Sequence, residues 1–288
     1  MPELPEVETL RRELARVLPG RVFAAVKILW PGTVKQIEPK KFAARLRGRK
    51  ILAVERRAKI LIFKLSGGEC LLIHLKLTGQ LIFAAGDKLV GGGHPENPAK
   101  YTRVIFTFTD PSGRRADGAK LLFNDLRKFG WLKLASASEA EKILGGHGVE
   151  PLSREFNLEK FSAILNRYPK RKLKSLLLDQ TLIAGLGNIY ADESCFAAGL
   201  RPTRLVERLT SNNRKKLHQA IIAVLKLSIR KKGTSYRDYR RSTGARGGFV
   251  PHLNVYGRGG AECKKCGGVI SKIKLNGRGT HFCPRCQR

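Results

Sequence analysis

A change of hydrophobic period near residue 150 constrains this chain more than any other feature. From residue 22 to about 134, apolar residues come in short runs rich in β-branched and aromatic types, at 22–29, 51–57, 60–65, 69–75, 79–84, 103–109, 120–124 and 130–134. Turn signals such as Ser66-Gly67-Gly68 and Asp110-Pro111-Ser112-Gly113 separate several of them. Short strands with this punctuation predict a β-sandwich or barrel. Beyond residue 154 the spacing becomes helical, over 154–166, 171–179, 188–198 and 210–232. A helix also opens the chain over 5–18, with Pro5 suited to its first position and Val7, Leu10, Leu14 and Val17 on one stripe. Shorter helices are expected at 39–47 and 138–145. The class is therefore α+β: an N-terminal helix with a β-sandwich over 1–150, a helical domain over 151–251, and a small cysteine-bearing module over 252–288. GHGVEPLS at 146–153 reads as the linker, and 86–100 as a Gly/Pro-rich loop.

Four of the six cysteines form two CxxC pairs, Cys263/Cys266 and Cys283/Cys286, with sixteen residues between them. Four thiolates so spaced can close a tetrahedral shell around one zinc ion, with an iron–sulfur centre as the smaller alternative. The intervening residues read as two strands turning at Asn276-Gly277. The module is too short to fold on its own core, so the metal would supply the folding free energy and the site would be structural. Cys70 and Cys195 stand alone in apolar surroundings and read as buried, inert thiols.

Lysine and arginine number 56 against 23 acidic residues, a formal net charge of +33. Nucleic acid is the expected partner and an anionic membrane surface the runner-up. No apolar stretch is long enough to span a bilayer, and MPELPEVETL lacks the pattern of a signal peptide, so a cytoplasmic protein is expected.

MPELPEVETLRR, RRAK at 56–59, IHLKLTGQL at 73–81, NDLRKFGWL at 124–132, GLGNIYADESCFAAGL at 185–200 and the terminal CPRCQR occur in one order along the chain. Together they resemble the formamidopyrimidine-DNA glycosylase family over its whole length. The resemblance implies a bifunctional glycosylase and lyase of base excision repair that removes oxidised purines from damaged double-stranded DNA, acting as a monomer with one structural zinc. It implies that Pro2, freed by removal of Met1, is the nucleophile. An α-amino group has a pKa near 8, so a useful fraction is neutral at pH 7. Glu3 would act as general acid and base, Glu6 would position and polarise the site, and Lys59 would assist at the damaged base. Read from the residues alone, Glu3 and Glu6 cap the helix, Lys59 is a solvated lysine and His74 a satisfied core histidine, so their functional roles rest on the resemblance.

The same resemblance assigns DNA handling to named positions. His74 would contact a phosphate. Arg127 and Phe129 would fill the hole left by a flipped base, with Leu77 where the family carries methionine; leucine keeps the volume and loses adaptability. Residues 172–198 read as helix, glycine-rich turns and helix, matching the family's helix–two-turns–helix element. Asn188 there and Arg278 on the zinc hairpin would clamp phosphates, and Lys174 would contact the backbone. The loop at 233–248 would cover the flipped base, with Ser235 and Tyr236 as candidate readers, and DNA would run in a basic cleft between the domains.

Three rivals stand beside this reading. An endonuclease VIII-like enzyme would prefer oxidised pyrimidines, but Leu4 in PELPE and the retained DLRKFG favour the purine enzyme. A non-catalytic DNA-binding homologue would leave Pro2 and Glu3 without a task. A zinc-ribbon RNA-binding or ribosome-associated protein would explain charge and cysteines but not the N-terminus.

Overall fold

The computed structural model describes residues 1–84, 98–110 and 118–288. The expected loop at 86–100 up to Asn97, and the turn residues Pro111–Gly113, lie outside the described residues. The chain divides into two compact units, Met1–Gly145 with Lys231–Gly248, and Gly146–Arg230 with Phe249–Arg288.

The first unit begins with helix α1 (Leu4–Leu14), shorter than the stripe suggested because the chain turns at Ala15. Two four-stranded antiparallel sheets follow. One has the order β1 (Val22–Ile28), β6 (Thr102–Thr109), β7 (Lys120–Asp125) and β5 (Gly79–Ala84). The other has β2 (Ile51–Arg57), β3 (Ile60–Leu65), β4 (Glu69–His74) and β8 (Trp131–Ser136). Strand β6 alternates buried and half-buried residues without exception, the signature of a sheet with one face in the core. Strand β3 is buried on both faces. Leu61 and Phe63 face a core shared with Leu10, Phe106 and Phe123, while Ile60 and Ile62 meet Ala140, Ile143 and Leu144 of helix α3 (Ala137–Gly145). Helix α2 (Pro39–Leu46) packs its Phe42 and Leu46 into the larger core.

The second unit is helical: α4 (Leu158–Asn166), α5 (Leu173–Leu177), α6 (Asn188–Ala197) and α7 (Ser211–Arg230), around a core that includes Phe161, Leu176, Tyr190, Leu217 and Ile221. Asn157 caps α4 by accepting from the Lys160 N–H at 2.7 Å, which moves the helix start beyond the expected residue 154. The chain ends in a hairpin, β9 (Ser271–Leu275) and β10 (Arg278–Phe282). Asn276 and Gly277 both have positive φ, 47° and 75°, as the tight turn of a two-residue hairpin requires. No helix among the described residues is long and apolar enough to cross a membrane.

Candidate active site and nucleic-acid interface

Pro2 is buried at the head of α1 between Met1 and Glu3. Glu3 is the N-cap residue, 2 % exposed, and Glu6 is 1 % exposed. The Glu6 carboxylate accepts from the Glu3 N–H at 2.8 Å on one oxygen and from the Thr234 N–H at 2.8 Å on the other. Capping therefore exists, and it also ties the proline-bearing end of α1 to the segment 231–248, which packs within this unit rather than with the helices. Gly233 makes that approach possible: its φ is 82°, and a Cβ there would lie 3.0 Å from Glu6 Oε1.

Strand register gathers further candidates at one end of the sandwich. Lys59, 6 % exposed, sits in the two-residue turn between β2 and β3. Ile60, the residue after it, pairs with His74, and His74 pairs with Trp131. The His74 Nδ1 accepts from the Lys76 N–H at 2.9 Å, so the ring braces the turn that carries Leu77. Thr78 donates to Asp125 and accepts from the Arg127 N–H at 3.0 Å. Asp125 also accepts from the Gly130 N–H at 2.6 Å. Thr78 and Asp125 thus lock the turn bearing Leu77 to the loop bearing Arg127 and Phe129. Arg127 lies over the Phe129 ring at 5.0 Å, and Phe129 is 52 % exposed. Lys128 lies over Trp30 at 3.7 Å.

Sequence reasoning missed Glu8 as a site residue. Its carboxylate binds Arg11, Arg12 and Arg56, and Arg56 donates to the Ala58 carbonyl at 2.9 Å, so α1 is registered against the Lys59 turn. Burial alone would raise the Glu8 pKa, but the three guanidinium groups outweigh it and hold the carboxyl at about 2. The available signal was an acid one helical turn before two arginines, which reads as an ordinary surface pair until Arg56 is placed beside it.

In the second unit, Asn188 opens α6, and its Nδ2 donates to the Gly279 carbonyl at 3.0 Å beside exposed Arg278. Asn276 donates to Ser175 Oγ at 2.8 Å. The hairpin tip is therefore seated on the helix–two-turns–helix element, which brings Asn188 and Arg278 together. Lys174, expected at the DNA backbone, is 1 % exposed; its ammonium contacts Asp192 at 2.7 Å and donates to Gly279 O and Thr280 Oγ1, each at 2.9 Å. Asp192 in turn accepts from the His281 N–H at 2.9 Å. Lys174 and Asp192 hold the hairpin from beneath.

The four sulfur atoms of Cys263, Cys266, Cys283 and Cys286 lie within 4.8 Å of one another, with Cys263–Cys286 at 3.9 Å and Cys266–Cys283 at 3.5 Å. A tetrahedron with Zn–S bonds of about 2.3 Å has edges of about 3.8 Å, so the cluster fits one zinc ion with no open position. Burial raises the Cys263 thiol, yet N–H groups of Lys265 and Cys266 bring it down to about 7. Glu193 and Gln287 complete the support. Glu193 accepts from the N–H groups of Asn254, Val255 and Tyr256, and Gln287 spans Cys283 N and Leu200 O. Cys70 and Cys195 are buried, and burial pushes the Cys195 thiol far up.

Family models match three stretches that together make up most of the chain: the formamidopyrimidine-DNA glycosylase N-terminal domain at residues 1–132, the H2TH domain of that enzyme at 147–240, and the zinc finger found in FPG and IleRS at 260–288. The formamidopyrimidine-DNA glycosylase of Desulfitobacterium hafniense is 42 % identical over 291 residues, covering all of both chains. The chain belongs to the formamidopyrimidine-DNA glycosylase family. Solved structures agree. The Lactococcus lactis Fpg in complex with an abasic-site DNA is 35 % identical with a TM-score of 0.86, covering 99 % of each chain. A mutant of that enzyme in complex with a Fapy-dG DNA has a TM-score of 0.87, with full coverage of both. As a member of the family the chain is a DNA glycosylase of base excision repair with lyase activity at abasic sites, and it carries one structural zinc. The sandwich, the H2TH element and the four-cysteine hairpin are the family's fold.

Proposed function

We propose that this glycosylase removes oxidised purines, 8-oxoguanine and formamidopyrimidines, with the secondary amine of Pro2 as nucleophile after Met1 is removed. With Met1 attached the Pro2 nitrogen is an amide and cannot attack. The neutral amine attacks the anomeric carbon, the glycosidic bond breaks, and the base leaves with a proton. The ring then opens at C1′–O4′ and the amine loses its proton, giving an iminium that is an electron sink: loss of a C2′ proton expels the 3′ phosphate, and a second elimination expels the 5′ phosphate. Glu3 protonates the sugar ring oxygen and then moves the elimination protons, while Glu6 holds Glu3 and the covering loop in register. The observation that carries this reading is the burial of Pro2 beside two carboxylates, one of which joins the N-terminus to Thr234.

Lys59 and His74 take phosphate or lesion contacts from their shared end of the sandwich. Leu77, Arg127 and Phe129 fill the vacated stack, with Arg127 facing the orphaned base. Asn188 and Arg278 clamp phosphate, held in place by Lys174. The loop at 233–248 reads the base. This divides the work into catalytic, helical and zinc-bearing parts at 1–150, 151–251 and 252–288, with the loop at 233–248 serving the catalytic part. The enzyme acts as a monomer on bacterial DNA in the cytoplasm.

Borohydride trapping on a duplex with 8-oxoguanine opposite cytosine tests the proposal. A covalent adduct mapped to residue 2 and lost in Pro2→Gly is expected. Absence of an adduct from protein lacking Met1 by mass, with an adduct on an oxidised pyrimidine instead, would replace the purine reading with the pyrimidine one.

A further inference from the structure

We propose that Gln80 and Glu13 are positioning residues that latch the segment Lys231–Gly248, so that the reading of the base depends on how firmly these two side chains hold it. The inference rests on the reading of this segment as the cover of the flipped base.

The segment is closed at its foot by the Gly248 N–H on Lys231 O at 2.7 Å and tied to the catalytic helix through Thr234 and Glu6. Ser235 shapes its interior, donating to Tyr239 O at 2.8 Å and accepting from the Gly247 N–H at 2.7 Å. Exposed Tyr236 and Arg237 come next in the chain. Beyond them the segment is held twice more. Gln80 Nε2 donates to the Asp238 carbonyl at 2.5 Å. The Glu13 carboxylate accepts from Arg241 Nε at 2.7 Å, Ser242 N at 3.0 Å and Ser242 Oγ at 2.8 Å, and the Phe83 N–H adds a bond to Ser242 O at 2.8 Å.

Both side chains sit where local physics alone would not put them. Gln80 is 7 % exposed in a strand, and its Oε1 is buried without a partner among the described residues. An apolar residue would avoid that cost, so the glutamine is there for its one bond to Asp238. Glu13 places a carboxylate in the last turn of α1, the negative end of the helix dipole, where a cation would be favoured. Its three donors all come from the segment 231–248. Gln80 borders a small cleft of about 10 Å³, space for one water molecule, lined by Thr78, Asn124, Asp125 and Asp238 among others.

The position of Gln80 gives the latch its meaning. It lies three residues after Leu77 and two after Thr78, the residue that locks the Leu77 turn to the Arg127–Phe129 loop. A change in the hole-filling turn therefore passes along β5 to Asp238. Filling the stack and covering the flipped base become one event.

The test compares two substrates in single-turnover reactions: a duplex with 8-oxoguanine, whose base must be read, and a duplex with a preformed abasic site, which has no base. Gln80→Leu removes the bond and the unpartnered oxygen together, so it should be at least as stable as the wild type. Its excision rate should fall about tenfold while its abasic-site cleavage stays within about twofold, as for loss of one buried hydrogen bond that acts only when a base is read. Glu13→Ala should show the same split, and the double variant a larger one. Equal loss on both substrates, or unchanged excision, would overturn the proposal. If the wild type does not excise 8-oxoguanine, the purine reading has failed; the same ratio measured on thymine glycol then decides the latch separately.

Discussion

The two units hold their functional atoms by different physics. In the first, a large apolar core between two sheets fixes the frame, and carboxylates finish the site by accepting backbone N–H groups: Glu6 from Glu3 and Thr234, Glu13 from Ser242, Asp125 from Gly130. In the second, the phosphate-clamp candidate Arg278 stands on a hairpin with little core of its own, Val255, Ile270 and two cysteines, held by four metal-ligating thiolates and by a buried Lys174–Asp192 pair. A core-built site tolerates loss of a charge, because packing remains. A site built on a metal and an ion pair does not. The contrast teaches where each half of the enzyme is vulnerable.

Zinc removal should separate the units most sharply. Structural zinc contributes about 10–16 kcal/mol in isolated zinc-finger peptides, far more than any single contact here. Both tryptophans, Trp30 and Trp131, lie in the first unit, so their emission reports on that unit alone. Cys283→Ala, or chelation, should reduce metal content from one zinc per chain to none and abolish tight DNA binding while leaving tryptophan emission unchanged. An emission shift that tracks zinc loss would break the comparison.

Next in size is the buried ion pair. Lys174→Met leaves Asp192, fully buried, without its cation, which costs about 3–5 kcal/mol in comparable cases. Urea unfolding followed by circular dichroism should show that loss, and adding Asp192→Asn should recover much of it. No change on Lys174→Met would mean that the hairpin is held by its metal alone.

How much of this was legible in the sequence follows from the range of each interaction. Strand positions were readable almost to the residue, because a period of two is a local property: β2 and β3 were expected at 51–57 and 60–65 and lie there. The Asn276-Gly277 turn and the four-cysteine cluster were equally local. The partners of Lys174 were not, since Asp192 and Thr280 are brought to it only by folding. A lysine amid basic residues reads as a DNA contact unless an acid in an apolar helix is recognised as its mate. The same holds for segment 231–248, which follows α7 in sequence yet belongs to the first unit, because Glu6, Glu13 and Gln80 all reach for it.

Glu8 tests whether the first unit is as independent of charge as the contrast claims. Its carboxyl is held at about 2 against an ordinary value of 4.5, so the ionised form is favoured in the folded chain. The depressed value means that the stabilisation is fully present above pH 4.5 and disappears as pH falls from 4.5 towards 2. The shift corresponds to about 3 kcal/mol at neutral pH, an upper figure because Arg11 and Arg12 are partly solvated. Glu8→Gln should therefore be less stable than the wild type at pH 7 by at most that amount, and the difference should shrink through pH 4 and vanish near pH 2. Its transition should remain cooperative, because the apolar core is untouched. The Lys59 turn, which Glu8 reaches only through Arg56, should loosen, and amide exchange at Ala58–Ile60 would register it. A difference that persists undiminished at pH 2 would mean that Glu8 acts by packing. A loss at pH 7 as large as that of Lys174→Met would mean that the first unit, too, stands on its ion pairs.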